Sequence, residues 1–503
     1  MIKTVNSWIK YLAYVYLTLP ILIFIIGWVK IPIAVISAIL ILAALFRCIF
    51  NEKDKNEVLW TAKDLAKFGV IFCIISLWVY LSGIGGLCFQ NSDHITRNML
   101  YQALVEYDWP VISPDGSRAL IYYIGFWLPS AVIGKLFGMT VGYWFQAIWA
   151  TMGIFLAYYY ICMMRRKVDY WPLFIFIFFS GMDYVGTWLL GRNAVDLFQP
   201  EHLEWWAQEW QFSSMTTLLF WTYNQAIPAW LATALVLVQK NKKNLFYILS
   251  LLILSSTFAF VGLIPIVLYF ALRRQEGGKM WREIFSLQNM VGVLLIGILS
   301  VAYLMSNGQV EKSRIGAIKS ESQQIEVQQV DNQEVQEATD NVSKTVNNDD
   351  DFSAKLLCYI LFAFVEYLPY VFMICKSSKG EILLWVCVGI LLMCPLISLG
   401  DAQDFCMRAS IPALFCLMIY CIDFFDREVA ISNYRLLIPM AVILLIGSIT
   451  PFNEIHRSVS NTINYAEDGL EYTLIPLSGE GIFGSGYHFG YVDGNLFMKY
   501  LAK

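Results

Sequence analysis

The stretch QNSDHITRN, residues 90–98, places an acid, a histidine, a base and several amides directly after an apolar run of membrane-spanning length. A carboxylate such as Asp93, standing where a membrane surface meets water, can take a proton from an attacking hydroxyl group as a general base. The same acid is also an ordinary feature of a loop that follows a helix, so both interpretations stay open. We predict a catalytic role for Asp93 and substrate-binding roles for His94, Arg97 and Asn98.

Further candidates lie in two other polar segments. Arg408 precedes the apolar run ASIPALFCLMIY, and its guanidinium could bind a lipid phosphate through two parallel hydrogen bonds. Its long side chain could equally lie along the membrane surface with its charge in water. Lys135 has the same two interpretations, a phosphate contact or an anchor among lipid headgroups. Asp404, four positions before Arg408, joins them as a candidate substrate-binding residue.

Glu201 and His202 stand just before three tryptophans at positions 205, 206 and 210. Tryptophans of this kind are typical of the belt where a membrane protein meets the lipid headgroups, and stacking on a sugar ring is the alternative. The spacing of Glu201 and His202 matches no metal-binding motif. We therefore predict substrate binding for both, and a divalent ion shared with Asp93 stays the alternative.

The composition indicates a membrane protein. Of the 503 residues, 58% are hydrophobic and only 15% are charged, against about a quarter in soluble proteins. Apolar runs long enough to cross a bilayer recur along the chain, and they are continuous, unlike the alternating strands of a β-barrel. The net charge of −4 argues against a nucleic-acid partner. We expect an all-α polytopic membrane protein.

Hydropathy predicts about 13 transmembrane helices. We place them near 11–29, 31–48, 68–88, 139–163, 171–190, 214–238, as a hairpin pair within 245–272, and near 285–305, 355–375, 381–399, 411–426 and 436–451. The transmembrane domain then covers residues 1–451, and residues 452–503 form a small external tail that we interpret as a lid.

Basic residues concentrate in alternate loops and therefore predict the orientation. With a cytoplasmic N-terminus, each predicted internal loop carries at least two basic residues; these loops are 49–67, 164–170, 239–244, 273–284, 376–380 and 427–435. The predicted external segments are 89–138, 191–213, 306–354, 400–410 and the tail. Within the first of these, 119–138 is predicted not to cross, because a crossing there would put Arg165, Arg166 and Lys167 outside. We expect it to form an interfacial helix.

The segment 306–354 stands apart in composition. Its central part is rich in Gln, Asn and Glu and has no aromatic residue, so it cannot bury a core of its own. We predict a flexible external insertion.

Glu366 and Asp183 lie inside predicted spans, where acids are costly and tend to be functional.

The layout of an early external loop with an acid just past a span, an interfacial helix after it and many spans resembles the GT-C superfamily of membrane glycosyltransferases. The phrases DHITRNMLYQALVEYDWPV, YYIGFWLPSAVIGKLFG and DFCMRASIPALF are also similar to uncharacterised bacterial multi-pass proteins. The resemblance implies a sugar transfer from a polyprenyl-phosphate carrier, with the base carried over to Asp93 and Asp108 in reserve. This chain has His94 where members commonly have a second acid, and its C-terminal domain is reduced to 452–503.

The resemblance further implies an inverting single displacement at the external face of a bacterial inner membrane. The partners would be the polyprenyl-phosphate-linked sugar, an envelope glycan, lipid or protein acceptor, and membrane lipids. The main rival is a transporter or flippase of a lipid-linked envelope intermediate, which would require charges lining a path across the membrane. A ligase or polymerase of surface glycans and a non-catalytic scaffold are two further rival interpretations.

Overall fold

A computed structural model describes most of the chain, in ranges 2–51, 60–190, 202–207, 210–273, 280–306, 348–377, 381–399, 404–468 and 488–503. The predicted site residue Glu201 lies outside the described residues, as do 307–347 of the predicted insertion 306–354. The same holds for 191–201 and 208–209 of the loop 191–213, for 400–403 of the turn 400–410, and for 469–487 of the tail.

Helices make up nearly all of the described structure. Those of the first half are α1 Ile2–Trp28, α2 Ile31–Asn51, α3 Ala62–Leu81, α4 Asp93–Glu106, α5 Leu128–Phe137, α6 Met139–Arg165, α7 Trp171–Phe178, α8 Asp183–Leu189, α9 Met215–Leu237, α10 Leu245–Ser250 and α11 Thr257–Leu272. Short 3₁₀ helices lie at Gly125–Trp127, Leu203–Ala207 and Cys394–Leu396.

The second half continues in the same way. Its helices are α12 Met280–Ile284, α13 Leu287–Met290, α14 Ile298–Met305, α15 Asn348–Glu366, α16 Leu368–Ser377, α17 Ile382–Met393, α18 Asp404–Ala409, α19 Ile411–Ala430, α20 Tyr434–Gly447, α21 Ile449–Glu467 and α22 Leu496–Tyr500. A π-helical stretch, Val291–Gly297, joins α13 to α14. Two three-residue strands, β1 Arg118–Leu120 and β2 Phe489–Tyr491, pair in antiparallel fashion.

Long apolar helices confirm an all-α polytopic membrane protein. Within the described residues, seven helices are long and apolar enough to cross a bilayer: Ile9–Trp28, Ile31–Phe50, Ala62–Leu81, Met139–Arg165, Trp171–Leu189, Leu287–Met305 and Tyr434–Glu467. An eighth is added if α15 and α16, bent by 51° at their junction, form one span. The predicted number of about 13 is therefore too high by this measure.

The difference comes from helices that are too short or too polar to count as spans. The helices α10, α11 and α17 have 6, 16 and 12 residues, and a crossing needs about 20. The helix α9 has 23 residues, but they include polar Thr222, Asn224 and Gln225. Since α9 is buried among other helices over almost its whole length, it needs no lipid-facing apolar surface.

Trp171–Leu189 is interrupted between α7 and α8, and the protein compensates for the interruption. The carbonyl of Phe179 accepts a hydrogen bond from Met215 N at 3.0 Å, and that of Ser180 accepts one from the Tyr370 hydroxyl at 2.7 Å. A Cβ at Gly181 would lie 1.9 Å from Oε2 of Glu366, so the close approach requires glycine. Irregular backbone at membrane depth is tolerated when it is buried in protein in this way.

Described parts of the loops predicted to be internal lie together at one end of the helices. Lys67 Nζ donates a hydrogen bond of 2.7 Å to the carbonyl of Val168, and Arg165 Nε donates one of 2.6 Å to Asp426. These contacts join three of the predicted internal loops or their borders. The grouping supports a two-sided arrangement, and which side faces the cytoplasm stays a prediction.

The described parts of the segments predicted to be external lie at the other end, where the described part of the C-terminal tail joins them. Through β2 the tail pairs with β1, and Phe497 packs on Phe24 and Tyr303. Ala502 forms a β-bridge with Val29, at the turn between α1 and α2. The ten residues of α5 are too few to cross a bilayer, which fits the prediction for 119–138.

Candidate functional site

A cavity of about 350 Å³, here called the arginine cavity, lies at the end where these segments gather. Its walls come from α4, the segment before α5, α9, α11, α18 and the tail. The lining residues are Asp93, Thr96, Arg97, Leu100, Tyr122, Tyr123, Trp127, Asn224, Gln225, Phe258, Asp404, Arg408 and His488. Four of the residues singled out from the sequence, Asp93, Arg97, Asp404 and Arg408, therefore meet in one place.

The first turn of α4 places Asp93 and Arg97 on the same helix face, because residues four positions apart are neighbours on a helix surface. Arg97 Nη2 donates a hydrogen bond of 2.9 Å to Oδ2 of Asp93. The Arg97 side chain is 9% exposed, against 43% for Asp93. Its Nη1 is buried and has no hydrogen-bond partner among the described residues. Arg97 lines the cavity, and its guanidinium also lies over the Tyr223 ring, 5.6 Å from the centroid.

The short helix α18 repeats this arrangement with a second pair. Arg408 Nη2 bonds to Oδ1 of Asp404, four positions earlier, at 2.9 Å. Arg408 Nη1 donates to the hydroxyl of Tyr123, also at 2.9 Å, and its buried Nε has no partner in the described part of the chain. The Asp93 carboxylate lies close enough to Arg408 to interact with it electrostatically. The two ion pairs therefore face each other across the cavity.

A pair of tyrosines connects Arg408 to the rest of the fold. The hydroxyl of Tyr122 is hydrogen-bonded to that of Tyr123. Tyr303 holds this segment, since it accepts a hydrogen bond from Tyr122 N at 3.3 Å and donates one to Leu120 O at 2.8 Å. Tyrosines beside an apolar run are typical of the headgroup layer of a membrane, and nothing in the spacing of these two indicates a cavity wall.

A kink in α9 brings two amides to the same cavity. Thr222 departs from helical geometry, with φ −135° and ψ 33°, and Asn91 donates a hydrogen bond of 2.8 Å to the Phe220 carbonyl beside the kink. Just past the kink, Asn224 Oδ1 and Gln225 Oε1 are buried without a hydrogen-bond partner among the described residues. The predicted site residues include neither amide, although two adjacent amides inside a predicted span are an available signal.

The tail supplies His488, which forms part of the wall beside Tyr122, with ring centroids 4.5 Å apart. The carbonyl of His488 accepts a hydrogen bond from Ile121 N at 2.9 Å, next to the pairing of β1 with β2. Burial, together with the guanidinium groups of Arg408 and Arg97, lowers the pKa of His488 to about 4. The imidazole is therefore neutral at neutral pH and can both donate and accept a hydrogen bond.

The fixed charges of the arginine cavity are arranged by depth. Its two guanidinium side chains are 9% and 11% exposed, whereas the partner carboxylates of Asp93 and Asp404 are 43% and 26% exposed. Burial raises the pKa of Tyr122 well above its usual value, so its phenol stays protonated. The deep part of the cavity is therefore rich in cationic and neutral hydrogen-bond donors, and the carboxylates lie nearer its mouth.

A second cavity of about 230 Å³, here called the tryptophan chamber, shares a wall with the first. Asp93, Asp404 and Arg408 line both cavities. The remaining wall of the chamber consists of His202, Trp205, Gln211, Ser213, Thr217, Trp221, Thr222 and Met407. The shared wall means that a group bound in one cavity would lie next to a group bound in the other.

His202 is fixed in the wall of the tryptophan chamber by two charged neighbours. Its Nδ1 lies 3.0 Å from Glu454 Oε1 and its Nε2 lies 3.2 Å from Arg457 Nη1. Trp221 donates a hydrogen bond of 3.0 Å from Nε1 to the same glutamate. Both His202 nitrogens are thus already engaged, and the histidine holds the wall in place.

Two predicted substrate-binding residues lie behind the wall of the arginine cavity. His94 is wholly buried, with Nδ1 3.1 Å from Asn91 Oδ1 and its ring 5.7 Å from that of Tyr223. Asn98 is buried too, and its Nδ2 donates a hydrogen bond of 2.8 Å to Gln90 Oε1. Their contacts support α4 and its connection to α9.

Lys135 and Asp108 lie at the far end of α4. Lys135 Nζ donates hydrogen bonds to the carbonyls of Val105 and Tyr107, at 3.1 and 2.6 Å. Asp108, the reserve base, is exposed and lies close enough to Lys135 to interact electrostatically. Neither residue lines the arginine cavity or the tryptophan chamber.

Across the described ranges, no group of three or more His, Cys, Asp or Glu side chains has the arrangement of a metal site.

No protein-family model, curated protein or solved structure matches the chain.

Proposed function

We propose that this protein is a GT-C-like membrane glycosyltransferase that moves a sugar from a polyprenyl-phosphate carrier to a cell-envelope acceptor. The observation that supports the proposal best is the wall shared by two cavities, which the Asp93 carboxylate and the buried guanidinium of Arg408 both line. A group transfer needs two substrates side by side, with a base at their junction.

The arginine cavity suits the phosphate of the carrier. Arg97 and Arg408 each keep a buried N–H without a partner among the described residues, and guanidinium groups bind phosphate oxygens with charge-assisted hydrogen bonds. The hydroxyl of Tyr123 accepts from Tyr122 and Arg408, and its own O–H adds a neutral donor to this surface. As the bond to the sugar breaks, negative charge grows on the phosphate, and these groups would stabilise it.

The tryptophan chamber suits the acceptor. Aromatic rings of Trp205 and Trp221 together with polar groups of Gln211, Ser213 and Thr217 form its wall. Pyranose rings have apolar faces and polar edges, which match such a mixture of ring surfaces and hydrogen-bonding groups. An acceptor hydroxyl bound there would lie next to Asp93.

The proposed reaction is one displacement at the anomeric carbon. The acceptor oxygen forms the new bond to that carbon while Asp93 takes its proton. The bond from carbon to phosphate oxygen breaks, and its electron pair goes to the phosphate, which faces Arg97 and Arg408. One displacement inverts the configuration at the anomeric carbon. We propose further that the protein lies in a bacterial inner membrane, with its N-terminus in the cytoplasm and its site at the external face.

A transporter or flippase of a lipid-linked envelope intermediate is the second candidate. One observation favours it: another cavity, of about 440 Å³, lies at the opposite end of the helices. The helix α11 reaches both, with Phe258 at the arginine cavity and Tyr269 at the other. A transporter would move the lipid-linked sugar without breaking its bond to phosphate.

Purified protein in liposomes, supplied with a polyprenyl-phosphate hexose labelled in the sugar, distinguishes the two. Transferase activity predicts that labelled sugar passes to added envelope extract and that free polyprenyl phosphate is released. Transport predicts that the intact lipid-linked sugar moves to the other leaflet of the liposome. Its protection from an added hydrolytic reagent detects this movement. Movement between leaflets with no cleavage in the presence of extract would overturn the glycosyltransferase proposal.

A further inference from the structure

The cavity of about 440 Å³ at the opposite end, here called the far cavity, has a wall unlike that of the arginine cavity. Its apolar part includes buried Ile161, Leu383, Cys416 and Ile422 together with half-buried Leu237. An apolar surface of this kind accommodates hydrocarbon, and its burial is favourable in proportion to its area.

One side of the far cavity carries three basic residues, and the carboxylate of Asp426 lines it as well. Arg165 lines it with a side chain that is only 6% exposed, held by Asp426 at 2.6 Å and Asp169 at 3.1 Å. Its Nη1 is buried and lacks a hydrogen-bond partner among the residues described. Lys167 and Arg273 stand exposed at the rim. Arg165 is already paired with two carboxylates, and its guanidinium lies over the Trp171 ring, 4.6 Å from the centroid. The cations open to an anionic group such as a phosphate are therefore Lys167 and Arg273.

The other side carries acids. Glu381 and Asp423 line the far cavity, and the two carboxylates lie close enough to repel each other. Glu381 accepts a hydrogen bond of 3.1 Å from the Tyr420 hydroxyl, and Asp423 pairs with Arg427 at 3.1 Å. Two neighbouring carboxylates at an exposed rim attract an ammonium group that can donate several hydrogen bonds.

The rim lies directly beside lipid-facing surface. Leu272, next to Arg273, is 67% exposed, and Ile382, next to Glu381, is 69% exposed. Such exposed apolar side chains in a membrane protein face hydrocarbon, and charged residues beside them mark the level of the headgroups. The far cavity therefore opens where a phospholipid could place its head among the charges and its chain along the apolar wall.

We infer that the far cavity binds a phospholipid whose headgroup carries both a phosphate and a primary ammonium group, as in phosphatidylethanolamine. The phosphate contacts Lys167 and Arg273, and the ammonium contacts Glu381 and Asp423. A headgroup with net negative charge, as in phosphatidylglycerol, meets the two acids without a compensating cation. A choline headgroup has a cation without N–H donors and cannot satisfy the carboxylates. This inference does not depend on the proposed transfer reaction.

Native mass spectrometry of the purified full-length protein tests the inference, with dioleoyl phosphatidylethanolamine, phosphatidylglycerol and phosphatidylcholine added in equal amounts. The wild-type protein should retain phosphatidylethanolamine at least about tenfold more tightly than the other two, a difference of about 1.4 kcal/mol. Arg273→Ala should weaken the binding of phosphatidylethanolamine. Arg435→Ala, an exposed residue outside the far cavity, is the matched control and should leave binding unchanged.

A change of selectivity gives the sharper test. The double variant Glu381→Gln with Asp423→Asn removes the attraction for an ammonium group and the repulsion of a negatively charged headgroup. Phosphatidylglycerol should then bind more tightly, and the preference for phosphatidylethanolamine should fall to about parity or reverse. If the double variant does not fold, Glu381→Gln alone serves, because its amide oxygen still accepts from Tyr420. An unchanged preference in a folded variant, or a wild-type preference for phosphatidylglycerol, would overturn the inference.

Discussion

Arg408 Nη1 donates a hydrogen bond of 2.9 Å to the hydroxyl of Tyr123, although 285 positions separate the two residues in the chain. The contact joins α18 to the segment that precedes α5, and both lie in parts of the chain that the distribution of basic residues predicts to be external. It fixes a buried guanidinium at the wall shared by the arginine cavity and the tryptophan chamber.

Arg408→Ala should weaken carrier binding more than any other single change in this wall. Loss of a charge-assisted hydrogen bond to phosphate costs about 1.5–3 kcal/mol, or roughly 10- to 150-fold in Kd. Tyr123→Phe removes only the hydroxyl that orients the guanidinium, and it should raise Kd by less. Titration of the purified variants with a fluorescent short-chain polyprenyl phosphate measures both effects.

Arg435→Ala removes an exposed arginine from the start of α20 and should bind the probe as the wild type does. Equal Kd values for Arg408→Ala and Arg435→Ala would mean that Arg408 does not contact the phosphate.

Docking of the tail should weaken in acid because His488 is buried in neutral form. Its pKa is about 4 in the folded chain and about 6.5 in an unfolded one, so protonation favours the unfolded state. The contribution of neutral His488 to the free energy of unfolding is complete above about pH 6.5 and is lost as the pH falls towards 4. The loss is at most about 3 kcal/mol. Thermal unfolding in detergent should therefore show a lower Tm at about pH 4.5 than at about pH 7.5.

His488→Gln should show a smaller fall in Tm between the same two pH values. Some pH dependence should remain, because burial and then Arg97 lower the pKa of His94 in the same direction. If the fall in Tm were identical in wild type and variant, His488 would not be buried beside the arginines in solution.

The sequence predicted the class of protein well because composition and hydropathy report directly on a membrane environment. It overestimated the number of spans because a window of apolar residues cannot separate a lipid-facing helix from one enclosed by protein. The helix α9 illustrates the difficulty: its Asn224 and Gln225 are tolerated because the helix is surrounded by other helices. Long apolar helices such as α2 were placed within a few residues.

The candidate site could be predicted in part. Asp93, Arg97 and Arg408 stand out in sequence because they are charged residues beside apolar runs. His488 and Tyr123 reach the same cavity only through tertiary contacts, namely the pairing of β1 with β2 and the contacts of Tyr303, which no local pattern reveals. Position in the sequence also could not show that His94 and Lys135 use their polar groups to support the fold.

Cysteine labelling in intact cells should establish the sidedness. In a background without the exposed native Cys73 and Cys358, Pro114→Cys and Asp493→Cys should react with a membrane-impermeant maleimide. Lys376→Cys should react only after permeabilisation. These positions are exposed in the structure, and the distribution of basic residues puts the first two outside and the third inside.

Labelling of Lys376→Cys in intact cells would contradict the predicted orientation. The grouping of loops at two ends would remain, but the arginine cavity would then face the cytoplasm.

Sugar transfer by Asp93→Asn, measured together with carrier binding, decides whether Asp93 is the base of a transfer reaction. Asp468→Asn, at an exposed position just past α21, is the control and should match the wild type in both measurements. Because the loss of Asp93 leaves Arg97 without its ion-pair partner, Tm is recorded to show that the variant is folded. We expect a rate lower by roughly 10²–10⁴, with carrier binding retained. Full transfer activity in a folded Asp93→Asn protein would contradict the proposed role of this carboxylate.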